Sequence, residues 1–389
     1  MSLSYKQHPL LKLTQQKLYK MVCVVEDELG TVQDPLTGKA LKVRRFTMTN
    51  CHQLSVSVIT RGATVTSIKF PDKRGQIDDV CLGFDDVQGY VSNRKSYMGA
   101  ILGRVANRIS NGKFEMACSE VCVSKNLSNK HQLHGGFVGL DSVVWEVCKV
   151  RSNGLDLTHC NPSGHEGYPG ELTVIVSFTL DDSNSFRICI EAESTDCTPV
   201  NISNNIHFNL AGHAAGKESL YEHSVLIKAD KVVDTDNDQI PTGMLMPVKN
   251  TPYDVRKFTN LGKSIKKFRN CPITGFDKSF CVDVRPGNPE TIAKIVHPYS
   301  GRWLEVITNQ PTVVFYTANN LPNMDATEYP VIGKDGAIYE KHGAFSFQTQ
   351  QYPDAMNHKT FPDVILKPCD KYYHEVTFKF GACKNCLKK

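Results

Sequence analysis

The sequence predicts an all-β protein, a large antiparallel β-sandwich with few short helices. Two observations carry that expectation: apolar residues recur with period two, and turn-forming clusters interrupt them at short intervals. Leu54, Val56 and Val58 alternate with Ser55 and Ser57, and Phe186, Ile188, Ile190 and Ala192 alternate with Arg187, Cys189 and Glu191. Val376, Phe378 and Phe380 repeat the pattern near the C-terminus. Successive side chains of a strand point to opposite faces, so each segment reads as a half-buried antiparallel strand. PDKRG, DDSN, DTDND and RPGNP supply the turns between strands. Helical spacing is scarce; Leu261, Ile265 and Phe268 behind Thr259 and Asn260 as caps predict one short helix. No linker and no internal repeat is visible. The expected organisation is an N-terminal extension over 1–24, one large domain over 25–380, and a basic, cysteine-containing tail over 381–389.

Composition narrows the function classes. Apolar residues make up 40% and charged residues 22% of 389, with Gly and Pro at 27 and 19, which is the make-up of a globular chain able to bury a large core. The net charge of +5 is spread over 45 basic and 40 acidic residues, and the densest basic cluster, KSIKKFR at 263–269, is short. It reads as a solvated helix face, so no nucleic-acid partner is expected. The longest uncharged run, Val306 to Met324, is broken by Asn, Gln and Pro, and the N-terminus lacks an apolar signal region. Neither a membrane span nor secretion is expected, and the reading is cytoplasmic. Fourteen scattered cysteines then read as reduced thiols, and the lone CxxC at Cys383 and Cys386 has no second pair to hold zinc.

Two stretches concentrate polar side chains where chemistry is expected. In NISNNIHFNL (201–210), a regular strand would place Ile202, Ile206, Phe208 and Leu210 on one face and Asn201, Ser203, Asn205, His207 and Asn209 on the other. That second face reads as a solvated sheet surface or as a binding site. Its amides offer donors and acceptors together, which suits hydroxyl-rich ligands. In GAFSFQTQQYPDAMN (343–357), a strand carries Ser346, Gln348 and Gln350 into a tight turn, with no carboxylate before Asp354.

Seven ordered segments carry a family resemblance: GRVANRISNGKF (103–114), HQLHGGFVGLDSVVW (131–145), GHEGYPGEL (164–172), PVNISNNIHFNLAG (199–212), ITGFDKSF (273–280), TNQPTVVFYTAN (308–319) and FQTQQYPDAMN (347–357). In this order they resemble the galactose mutarotases, or aldose 1-epimerases, over roughly residues 25 to 380. The resemblance implies a sandwich with a sugar cleft across one face, a hexose as ligand, and no metal or organic cofactor. It places Asn107 and Arg108 on sugar hydroxyls, His134 near the anomeric side, Asp277 on the far hydroxyls and Gln310 beside the ring. Taken singly, these residues read equally well as scaffold: a surface ion-pair arginine, a loop histidine before two glycines, a turn aspartate. Tyr168 and Trp303 are aromatic faces for which a core or surface role is expected first.

Mutarotation opens the aldose at its anomeric carbon and recloses it, so a base must take the anomeric proton while an acid serves the ring oxygen. In the family pattern a glutamate and a histidine hold these roles; at the matching positions this chain has Gln348 and Asn205. A primary amide has no protonation step near neutral pH. The expectation is therefore a noncatalytic or strongly impaired family member that binds a hexose. The alternative is an active aldose 1-epimerase with relocated groups, His207 or His134, although regular strand spacing puts His207 about 6.5 to 7 Å from the family's acid position. Asp277 and Glu166 are the substitute carboxylates to consider. A third reading, a structural or interaction protein with an unknown protein partner, is disfavoured by survival of the sugar-binding residues.

Overall fold

The computed structural model describes residues 22–383, apart from 270, 272, 283, 285, 286 and 327. Nearly all of the expected extension (1–24), and most of the tail (381–389), lie outside the described residues. Three antiparallel sheets dominate. A five-stranded meander runs in chain order through Cys23–Gln33, Ala40–Thr49, Ser55–Ile59, Thr64–Pro71 and Ile77–Asp79. The largest sheet has nine strands, with Tyr372–Ala382 at its centre between Ser185–Ser194 and Arg302–Thr308. A second five-stranded sheet orders Pro241–Pro247, Lys231–Thr235, Asp277–Cys281, Thr312–Tyr316 and Ser346–Gln350.

The expected alternation matches burial residue by residue. Phe186, Ile188 and Ile190 are wholly buried, while Arg187 and Glu191 of the same strand are exposed. One continuous core joins the sheets, with Phe178, Phe208, Phe315, Phe345, Phe347 and Phe378 in the same apolar cluster. Phe208 stacks on Phe345 with centroids 5.6 Å apart and packs on Phe378 at 5.4 Å, so one aromatic column ties the cleft strands to the nine-stranded sheet.

The expected short helix is present at Leu261–Ile265, continued by a 3-10 turn at Lys266–Phe268. The Asn260 side chain caps it by accepting from Lys263 N at 3.0 Å. Leu261, Ile265 and Phe268 are buried, while Lys263, Lys266 and Lys267 face solvent, as the reading of KSIKKFR required. A second helix, Val87–Ser92, was not foreseen. Asp86 caps it by accepting from Gly89 N at 2.7 Å, and it buries Val87 and Tyr90. Among the described residues no helix is long and apolar enough to cross a membrane. Among the described residues, twelve cysteines form no disulfide, whereas Cys383 is disulfide-bonded, contrary to the expectation of a reduced tail.

Candidate active site

NISNNIHFNL does not form the regular strand expected of it. Only Ser203–Asn204 pairs as a strand, with Leu102 and Ile101; Asn201 bridges Val105, and Phe208 bridges both Cys81 and Phe345. All ten residues are buried, which excludes a solvated sheet face. The amides divide by task. Asn201 Oδ1 accepts from Gln351 N at 2.9 Å, and Asn209 Nδ2 donates to Gly343 O at 3.0 Å, so these two staple backbone. Asn205 and His207 line a cleft of about 570 Å³ together with Asn107, Arg108, His134 and Asp277.

Gln348 reaches the cleft from the strand Ser346–Gln350, which pairs with Thr312–Tyr316 in a register that sets Val314 opposite Gln348. Asn205 Nδ2 donates to Tyr97 O at 3.0 Å, which turns its Oδ1 toward Gln348, and Gln348 Nε2 donates to that oxygen at 2.9 Å. Gln348 Oε1 is thereby left as an acceptor for a ligand.

Asn107 and His134 are locked to each other. Both hold positive φ, 67° and 54°. His134 N donates to Asn107 O at 3.0 Å, and Asn107 N donates to His134 Nδ1 at 3.1 Å. Gly135 follows with φ +87°, and a Cβ there would sit 1.9 Å from Gly103 O, so only glycine lets this loop close on its neighbour. Because His134 Nδ1 accepts, its proton rests on Nε2. His207 has the reverse arrangement: its Nδ1 lies 2.9 Å from Asn205 O, an acceptor, so Nδ1 carries the proton and Nε2 keeps its lone pair. Both rings are neutral at pH 7. Burial lowers His207 to about 4, and burial with the nearby Arg108 lowers His134 to about 3.

Asp277 opens its strand opposite Tyr316. Burial raises its carboxyl above the ordinary range, with Arg108 and Lys278 pulling the other way. Arg108 donates to Asn107 Oδ1 at 3.3 Å and Gln239 Oε1 at 2.8 Å. Gln310 does not line the cleft: it is buried, donating to Asn309 Oδ1 at 2.9 Å and accepting from Gln351 Nε2 at 3.1 Å. Glu166 is outside as well, its carboxylate accepting from Phe137 N and Val138 N at 3.0 and 2.8 Å. Tyr168 is buried beside Arg104, and Trp303 lies under Lys294 Nζ, 4.5 Å from the ring centroid. Tyr97, Lys95, Tyr316 and Asn320 line the cleft without any sequence signal having singled them out.

Residues 44–379 match the aldose 1-epimerase family. The chain belongs to the aldose 1-epimerase family. The galactose mutarotase of Rattus norvegicus is 42% identical over 362 residues, 93% of this chain and all of that protein. The galactose mutarotase of Homo sapiens is 42% identical over 331 residues, covering 85% of this chain and 92% of its own. Among solved structures, an aldose epimerase homologue from C. elegans superposes with a TM-score of 0.76 at 26% identity, covering 85% of this epimerase-family chain and 96% of its own.

These relatives correct the expectation of a noncatalytic sugar binder, since similarity to galactose mutarotases runs through nearly the whole chain. That expectation rested on Gln348 and Asn205 alone. Strand pairing ends at Asn204, so the regular spacing expected between 205 and 207 does not apply, and His207 lines the same cleft as Asn205.

Proposed function

We propose that the protein is an aldose 1-epimerase that interconverts the α and β anomers of a hexose such as galactose or glucose, with His207 and His134 in place of the family's usual proton carriers. The observation that carries this reading is the pair of opposite tautomers in one cleft: a lone pair on His207 Nε2 and a proton on His134 Nε2. His207 Nε2 takes the anomeric hydroxyl proton as the ring opens. His134 Nε2–H donates to the ring oxygen and holds its developing negative charge. The proton on His207 then passes to that oxygen, the aldehyde rotates, and closure on the other face retraces the steps. Gln348 Oε1, Asn107 and Arg108 hold the sugar hydroxyls, and Asp277 accepts from those at the far side.

A base lowered to about 4 is weaker than one poised near 7, so the rate enhancement is expected at the low end of general acid–base catalysis, about 10²-fold. Polarimetry of freshly dissolved α-galactose and α-glucose tests the reading. Optical rotation should relax faster than in buffer, and His207→Ala should remove the excess. A wild-type trace no faster than buffer would overturn it.

A further inference from the structure

The cleft is electropositive. Its lining includes Arg94, Lys95 and Arg108 and a single carboxylate, Asp277. Asp277 already feels two cations, Arg108 and Lys278. Arg94 is neutralised by Asp141, its Nε 2.9 Å from Oδ2, and Arg108 is engaged by Asn107 and Gln239. Lys95 differs from both. It is exposed at the cleft, and no hydrogen bond or ion pair engages it among the described residues. The amides at Asn205 and Gln348 add no negative charge to offset it.

Space points the same way. Sites of roughly 300 to 1,000 Å³ enclose whole drug-sized ligands. At about 570 Å³, this cleft has room beyond one six-carbon sugar, and part of that room is bounded by Val91, Ser92, Lys95, Leu321, Pro322 and Val331.

We propose that the preferred ligand is an aldose bearing an anionic group, a carboxylate or a phosphate, with Lys95 as the cation that meets it. This rests on the reading of the cleft as a sugar site. It adds that a neutral hexose leaves one charge at that site unanswered.

Isothermal calorimetry on the full-length protein with D-glucose, D-glucuronate and glucose 6-phosphate tests it, the two anions separating the carboxylate from the phosphate source. At low salt at least one anionic aldose should bind about fivefold more tightly than glucose, the scale of an exposed ion pair. The advantage should shrink as salt screens it. Lys95→Met should remove most of the advantage and Lys95→Arg should retain it. Anionic aldoses that bind no better than glucose, an advantage indifferent to Lys95→Met, or no binding of any of the three overturns the inference. Binding is read without turnover. A flat polarimeter trace with preserved anion preference therefore sinks the epimerase reading alone, and glucose turnover without that preference sinks this inference alone.

Discussion

Gln348 Nε2 donates to Asn205 Oδ1 across 2.9 Å, joining the two positions that hold proton carriers in the family pattern into one neutral amide pair. The pair is oriented by the backbone carbonyl of Tyr97, itself a cleft residue, which accepts from Asn205 Nδ2 at 3.0 Å. Gln348→Glu alone would set a carboxylate against Asn205 Oδ1. We expect a lower melting temperature and no gain in rate. Gln348→Glu with Asn205→His converts the clash into a charge-assisted contact and should raise the epimerase rate above that of the wild type, about 10-fold or more. Paired thermal melts and polarimetry decide both.

His207→Ala and His134→Ala should each remove most of the enzymatic excess over buffer, about 10²-fold in the unmodified protein. His207→Ala removes the acceptor and should lower kcat with little change in KM. His134→Ala also unlocks Asn107, whose backbone N–H donates to the ring, so its KM should rise as well.

The pH dependence follows from the lowered histidines. His207 accepts a proton only while neutral, so the catalysed rate should hold from neutral pH down toward 5 and fall as pH drops through about 4. Stopped-flow polarimetry with the buffer rate subtracted measures this. A rate falling instead through 6.5 would mean that the titrating group is an exposed histidine.

Stability should decline over an overlapping window. Burial lowers His207 and His374 to about 4 and His223 to about 3. Below about 6.5 the unfolded chain binds protons at these sites and the folded chain does not, so unfolding is favoured as pH falls from 6.5 toward 4. Urea unfolding at about pH 7.5, 6 and 5 should give midpoints that fall in that order.

Lys334 tests what holds the cleft rim. Its Nζ donates to Asp79 Oδ2 at 2.7 Å, Cys81 O at 2.7 Å and Thr66 O at 2.9 Å, all buried. Burial alone would raise Asp79, but Lys334 together with the hydrogen bonds from Ser67 Oγ and Ile68 N more than offsets this, and its carboxyl stays below the usual range. The lysine sits between the paired strands Val331–Ile332 and Ile338–Tyr339, and Val331 lines the cleft. Lys334→Met strands the carboxylate and should cost about 3 to 5 kcal/mol in denaturant unfolding.

Much of the architecture was legible in the chain because strand burial is a local property. In Ser185–Ser194 each apolar residue fell inward and each charged residue outward. The helix at Leu261–Ile265 was legible through its cap, Asn260, whereas Val87–Ser92 offered only Val87, Tyr90 and a preceding aspartate, too short a pattern to register. In the candidate site, Asn107, Arg108, His134, Asp277, Asn205, His207 and Gln348 do converge on one cleft. Gln310 does not, because its amide is taken up by Asn309 and Gln351.

What the sequence by itself determined was the alternation that builds the sheets, the ordered motifs of the family and the identity of the two amides at 205 and 348. What only the tertiary structure decided was how those groups are presented. Strand pairing ends at Asn204, and it is the folded chain that brings Asn107, His134 and Asp277 to the same cleft as Asn205 and His207. The tautomers of His134 and His207 are set by Asn107 N–H and Asn205 C=O, backbone groups with no signature in the residue string. Hydrogen-bond direction depends on which backbone group the folded chain presents to each ring, from Asn205 two residues away for His207 and from Asn107 for His134. A histidine written in the sequence is therefore neither donor nor acceptor until the fold has set the backbone groups around its ring.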